Sequence, residues 1–540
     1  MNRPWWLLYA AALLLIGIGY IAVTPPFEGF DETAHYSSIR QIADEGTLPV
    51  SGKSTISRNV IAYAGPKPYK SGDPPFDSGN TYTKFFANPS SIAAFTEQQK
   101  LPRQAYEASD QLNWETQHPP LYYGLMSIAA KSTARLSLLE EVFLLRGLSY
   151  ALAGAGVILA IAAAQIRMSA DKTFAGFVIY PILLPMFFPE FARIGNDSLC
   201  LLFAGASVLF VALADRERER RLWPLLLGIS LGLGLLTKAL FVPIVLGYAL
   251  FFGIGFAVEP AERRRYLELL MLTLVPATVI GGGWYLYKFL AYGSISGVNE
   301  AILLAKQGGL LAGLQQRFST FLLAHSAMVT LASYVWAGTW SLVHMPPLAQ
   351  APLVTAVAML FVLYLDWLRR QAWSLDWLTP IVLGCFAGGL IWHILVSIAL
   401  LGRSVTPGWL AHILMPWVAP AMGIACSRLT DRRGTRMVLA AAVLYAGLFQ
   451  AWAMWNEIAL FAGCATKAND KSYSFPDHAY CLDQVSTVLA RLDVIAWPRV
   501  GLAALTAGAA CLLVLVMRKP VWLDVARPRS NKKLADGPGF

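Results

Sequence analysis

The stretch Phe30-Asp31-Glu32-Thr33-Ala34-His35-Tyr36 sets two carboxylates and an imidazole close together. At a boundary of lowered dielectric, one carboxylate can act as general base toward a hydroxyl or amine while the other positions it. The competing reading is a helix cap, since acids at a helix start are favoured by the macrodipole. Adjacent side chains on a helix point about 100° apart. Asp31 and Glu32 therefore cannot both face one substrate atom, and their roles should differ. A second group, Gln117-His118-Pro119-Pro120-Leu121-Tyr122-Tyr123, opens a helix with two prolines whose φ is preset. His118 reads, in order, as a cap, as a hydrogen-bond partner of Asp31 or Glu32, or as a metal ligand. One His and two carboxylates without characteristic spacing leave a divalent metal open and identify none.

Arg193, Lys238, Lys288 and Arg403 are candidates for holding a phosphate, because the guanidinium fork and the lysine point charge both suit one. Snorkelling toward lipid headgroups is the alternative for these long side chains. His35, Tyr122, Asp197 and His412 stand as candidate substrate contacts in the same segments.

What must position these residues is a membrane bundle. The chain has 540 residues, 56% hydrophobic and only 14% charged, where about a quarter charged is usual in a globular protein. That excludes a soluble domain, a disordered tail and a disulfide-dense secreted module. Apolar runs long enough to cross about 30 Å of hydrocarbon need roughly 20 residues. They fall at about 5–24, 142–165, 174–190, 198–214, 222–236, 239–257, 267–287, 351–366, 379–400, 409–426, 437–458 and 497–516, about twelve spans in all. Arg3 before the first run resembles a signal peptide, but Val23-Thr24-Pro25-Pro26 offers no small-residue cleavage site, so the run reads as an anchor.

With the N-terminus inside, the alternate short loops carry Arg167/Lys172, Arg216–Arg221, Arg263–Arg265, Arg369/Arg370 and Arg428–Arg436. The positive-inside bias then places both termini in the cytoplasm. The net charge of +10 is thus an orientation signal and implies no nucleic-acid partner. Both chemical groups fall on the outer face, and ionisable residues at that depth are functional candidates by default.

The chain divides into a first span (1–24), an outer loop with the chemical motifs (25–141), a group of spans (142–287) and an outer segment (288–350). A second group of spans (351–458), an outer loop (459–496), a last span (497–516) and a basic cytoplasmic tail (517–540) follow. Phe318–Trp340 reads as buried or re-entrant. Cys464 and Cys481 share one outer loop, where an oxidising exterior permits a disulfide. No internal repeat, GxGxxG, Walker or HExxH motif is present.

Together, Phe30-Asp31-Glu32-Thr33, His118-Pro119-Pro120-Leu121-Tyr122-Tyr123, Arg146-Gly147-Leu148-Ser149, Arg193 to Asp197 and Leu236-Thr237-Lys238 resemble the GT-C superfamily. Protein O-mannosyltransferases and lipid A aminoarabinose transferases belong to it. Gly195-Asn196-Asp197-Ser198-Leu199, Gly283-Trp284-Tyr285-Leu286-Tyr287-Lys288 and Tyr334-Val335-Trp336-Ala337-Gly338 resemble more closely a bacterial family of predicted membrane proteins of unknown function.

The resemblance runs from about residue 5 to residue 425. It implies an all-α polytopic fold and a glycosyltransferase of cell-envelope glycan biosynthesis, transferring a hexose or pentose from a polyprenyl-phosphate carrier. Asp31 would be the base or lie beside it, and the basic groups would hold the lipid phosphate. The acceptor would be a glycan, lipid or protein at the periplasmic face of the bacterial inner membrane, and membrane lipids would surround the bundle. In place of the Arg-Tyr pair of many relatives stands Gly402-Arg403-Ser404-Val405, so Arg403 carries over least. Competing readings are a ligase or polymerase of lipid-linked glycans, a flippase or transporter, and a structural role. A transporter needs polar groups at the midplane, and mid-span positions here are almost entirely apolar.

Overall fold

The computed structural model describes residues 5–68, 81–293, 295, 303–304, 306–343, 345–403, 406–429, 433–464 and 485–518. In hydrocarbon every backbone N–H and C=O must be satisfied within the segment, which makes apolar runs helical. Among the described residues, nine helices are long and apolar enough to cross a membrane, from Trp5–Val23 to Pro498–Val516. At about 1.5 Å per residue, the 19 residues of Trp5–Val23 extend roughly 28 Å, enough for the hydrocarbon layer.

All twelve expected runs contain helix, but two differ from simple spans. The run at 174–190 is a 14-residue helix, Ala170–Leu183, that ends before Pro185, followed by the short helix Phe187–Phe191. The run at 222–236 is the 14-residue helix Leu222–Leu235. The run at 437–458 lies within the helix Arg433–Phe461. Within the outer segment, Leu310–Arg317 and Thr320–Val335 meet at a bend of 102°, a broken or re-entrant geometry.

Small residues set how closely the helices approach. A Cβ on Gly205 would lie 2.1 Å from the Gly156 carbonyl oxygen, and one on Gly176 would lie 1.9 Å from that of Ala419. Both helix pairs, Leu138–Arg167 with Asp197–Arg216 and Ala170–Leu183 with Met415–Leu429, therefore require glycine at their crossings.

The segment between the first two spans folds into a polar cap. It holds the helices Glu32–Glu45, Arg58–Ile61, Tyr82–Ala87, Pro89–Lys100 and Leu121–Lys131, and an antiparallel pair of strands, Thr55–Ser57 and Ala108–Leu112. The cap is tied to the bundle by buried charge. Arg40 donates to Glu141 Oε1 at 2.9 Å and to the Ala130 carbonyl at 2.9 Å, and Tyr36 donates to Glu141 Oε2 at 2.6 Å. Glu141 belongs to the first turn of Leu138–Arg167, where Ser137 and Glu140 form a reciprocal capping box. The Glu32–Glu45 helix is thereby held against the start of that span.

Cys464 is buried and disulfide-bonded. Its expected partner, Cys481, lies outside the described residues, as does the basic tail beyond Arg518.

Candidate functional site

The site begins where the chain leaves the first helix. Phe27 and Asp31 both adopt left-handed backbone, with φ of 66° and 56°, a conformation that costs a non-glycine residue roughly 1–3 kcal/mol. Two carboxylates hold the turn in this shape. Glu28, fully buried, accepts from the hydroxyls of Tyr82 (2.7 Å), Ser341 (2.6 Å) and Thr339 (2.8 Å) and from the Ser341 amide (3.0 Å). Glu32, also fully buried, takes a bidentate pair from Arg146 at 2.7 and 2.6 Å. It also accepts the amides of Phe27 (2.9 Å) and Ile194 (3.0 Å). Arg146 spends its remaining donors on the carbonyls of Thr24 and Pro25. Glu32 is thus committed to fastening the loop.

Asp31 points elsewhere. It stands at the N-cap position of Glu32–Glu45, but its side chain makes no capping bond, which overturns the cap reading for this residue. Its Oδ1 accepts instead from the indole N–H of Trp114 at 2.8 Å, and the residue is only partly exposed. Burial and the nearby Glu115 carboxylate push its pKa up to about 6, against Trp114, Arg193 and Lys238.

The turn Asn113-Trp114-Glu115-Thr116-Gln117-His118 supplies these partners. Asn113 donates to the Ala34 carbonyl (3.0 Å) and to Ser38 Oγ (3.1 Å), fixing the turn to the helix that Asp31 starts. His118 Nε2 lies 2.6 Å from Glu115 Oε2, and His35 Nε2 lies 3.9 Å from the same oxygen. The expectation that His118 caps a helix or pairs with Asp31 or Glu32 is corrected: its partner is Glu115, three residues before it. Burial favours a neutral Glu115, but His118, His35 and Lys238 outweigh it and hold its carboxyl down at about 2. Burial drives His35 down to about 3 despite Glu115, and its Nδ1 lies 2.9 Å from the Tyr123 hydroxyl. Tyr122, the expected contact, is fully buried with its hydroxyl 2.7 Å from Ser149 Oγ.

The cations are compensated to different degrees. Arg193 donates to Glu190 at 3.2 and 2.6 Å, to Asp197 Oδ2 at 3.0 Å and to the Phe30 carbonyl at 2.8 Å. Lys238, in the tight turn between Leu222–Leu235 and Phe241–Val258, reaches both oxygens of Asp197 at 2.9 and 2.8 Å. Asp197 therefore serves two buried cations.

Lys288 is buried as well, with Nζ 2.8 Å from Ser51 Oγ and 5.0 and 5.1 Å from the ring centroids of Trp284 and Tyr292. No carboxylate pairs with it among the described residues. Ser51 in turn donates to the Thr116 carbonyl at 3.2 Å, which links Lys288 to the Glu115 turn. Arg403 is exposed past the end of Leu378–Leu401 and makes none of the contacts of the Asp31 cluster. His412 is buried with Nδ1 3.0 Å from the Tyr180 hydroxyl and its ring 4.8 Å from that of Tyr334. Tyr334 also borders an apolar groove of about 550 Å³ lined by Phe361, Phe386, Leu414 and Val418. Nearby, Phe30 stacks on Trp409 at 4.0 Å.

The structure thus joins Asp31, His35, His118, Arg193, Asp197 and Lys238, and connects Lys288 through Ser51. It adds Trp114, Glu115 and Glu190, which the sequence reading passes over. The Glu115–His118 spacing of three residues was the available signal. Among the described residues no group of three His, Cys, Asp and Glu is placed to hold a metal ion.

A multi-pass helical membrane protein, with a polar cap on one end of its bundle and an acid–cation cluster between the two, is the class that this fold and site define. The chain belongs to the DUF2142 family of predicted membrane proteins, whose model matches residues 14–400. The sequence has no match among curated proteins. Among solved structures it is similar to ArnT from Cupriavidus metallidurans bound to undecaprenyl phosphate. There the identity is 13% and the TM-score 0.45, over 96% of this chain and 78% of that one. The apo state of ArnT gives 13% and 0.45 over 95% and 76%. The oligosaccharyltransferase of Archaeoglobus fulgidus gives 14% and 0.31 over 82% and 55%.

Proposed function

We propose that this protein is a GT-C-type membrane glycosyltransferase that moves a sugar from a polyprenyl-phosphate carrier to an acceptor at the outer face. The acceptor is a glycan, lipid or protein. The observation that carries the reading is Asp31: a strained, uncapping, partly exposed carboxylate in a mostly buried set of charges. The motif order from Phe30 to Lys238, which resembles the GT-C pattern, supports it independently.

In this mechanism Asp31 accepts the proton of the acceptor hydroxyl or amine as that atom attacks the anomeric carbon. The bond from the anomeric carbon to the phosphate oxygen breaks, and the polyprenyl phosphate leaves with the electron pair. One base and no covalent intermediate suffice. Charge growing on the leaving phosphate is stabilised by fixed cations, usually the largest contribution to such a reaction. Lys288 has the strongest claim to that role, because it has no carboxylate partner among the described residues. Arg193 and Lys238 already share Asp197, so they serve the field around Asp31 first. Glu32 holds the loop, and the apolar groove beside Tyr334 offers space for an isoprenoid chain. The active site lies on the periplasmic side in this reading, with both termini in the cytoplasm.

The test is transfer by the purified protein, given a panel of polyprenyl-phosphate sugars and read by product mass. A sugar-loaded acceptor is expected from wild type and none from Asp31→Asn. Transfer by Asp31→Asn at the wild-type rate overturns Asp31 as base. Polymerised lipid-linked glycan as the product would favour a ligase or polymerase.

A further inference from the structure

Asp31 accepts one neutral donor, the indole of Trp114, and the next residue of the same turn, Glu115, adds a like charge to the field around it. The indole N–H of Trp114 reaches Oδ1 at 2.8 Å. Glu115 follows in the chain, buried, with its carboxylate held toward His118 and His35. Asn113 anchors this turn to the Asp31 helix at Ala34 and Ser38, and its Oδ1 accepts the Glu115 amide at 2.9 Å. Trp114 is also braced by Trp340, whose ring lies 6.0 Å away at 62°, and the Trp340 amide donates to the Glu28 carbonyl at 2.7 Å. The geometry is therefore rigid on both sides of the indole.

We propose that Trp114 and Glu115 are positioning residues that set the proton affinity of Asp31 in opposite directions. This rests on the reading of Asp31 as general base. A donor to a carboxylate favours its charged form, and a like charge beside it favours the protonated form. The other charged groups acting on Asp31 are Arg193 and Lys238, each tied to Asp197, while His35 and His118 pair with Glu115. These compensated cations leave Trp114 and Glu115 as the paired controls. Glu115 keeps the base from being too weak, and Trp114 keeps it ionised and aimed, with Oδ2 left for the acceptor.

The experiment compares pH–rate profiles of wild type, Trp114→Phe, Glu115→Gln and Trp340→Phe, with thermal melting to establish that each is folded. Asp31 must be deprotonated to act, so activity falls on the acid side. Glu115→Gln should move that limb about one unit to lower pH, and Trp114→Phe about one unit to higher pH. Trp340→Phe keeps the indole N–H on Asp31 and should leave the limb in place. Shifts of Trp114→Phe and Glu115→Gln in the same direction, or a fall in rate with no shift, would overturn the proposal.

Infrared difference spectra against Asp31→Asn read the Asp31 carboxyl without turnover. Opposite shifts there support the tuning. If the rate limb then fails to follow, the tuning stands and the assignment of Asp31 as base falls.

Discussion

Lys238 and Asp197 meet through both carboxylate oxygens, at 2.9 and 2.8 Å, although they come from different helical connections. Arg193 claims Oδ2 of the same carboxylate at 3.0 Å. A buried charge that loses its partner costs about 3–5 kcal/mol. Asp197→Asn should therefore lower the melting temperature sharply, and adding Lys238→Met should recover part of the loss. A double-mutant cycle in detergent checks this, and strict additivity would contradict the pairing.

Asp31 should show function and stability pulling apart. Its φ of 56° suits glycine, and relieving such strain is worth about 1 kcal/mol. Asp31→Gly is expected to melt no lower than wild type while transfer drops at least about 100-fold. A large loss of stability would show that Asp31 serves the fold.

The stability of the protein should carry the signature of that carboxyl. Asp31 has a folded pKa of about 6 against 3.8, so the folded state binds the extra proton between those values. This contribution favours the folded state below about pH 4 and is lost as pH rises through 6. Asp31→Asn should thus gain stability relative to wild type on going from pH 4.5 to pH 7.5 (about three units), read as a change in melting-temperature difference. A constant difference across that range would contradict the raised pKa.

Lys288→Met should raise the KM for a polyprenyl-phosphate sugar about tenfold or more, as expected for a lost charge-assisted contact. Lys288→Arg should retain part of the affinity, since the charge survives although the shape does not. Unchanged KM in Lys288→Met would assign the phosphate to another group.

Much of the membrane architecture was legible because hydrocarbon imposes a simple rule. A run of apolar residues must be helical, and a charge within or beside it must have a reason. That rule alone picked out Asp31, His118, Arg193 and Lys238. It could not pick out Trp114 and Glu115, since a tryptophan and a glutamate in a long polar loop cost nothing until the loop folds back. The expected twelve simple spans were also too regular. Pro185 and the 14-residue length of Leu222–Leu235 change how those segments are built without changing their apolar pattern.

By itself, the sequence determined that this is a helical membrane protein, and its charge pattern set the expectation that the basic loops and the acid–base motifs lie on opposite sides. It also required that Asp31 and Glu32 differ, because neighbours on a helix diverge. Only the tertiary structure decided which does what. Arg146, 114 residues beyond Glu32, captures Glu32, and the left-handed turn at Asp31 sends the other carboxylate to Trp114. Those partners are distant in sequence, and burial makes each charge choose among whatever the fold brings within reach.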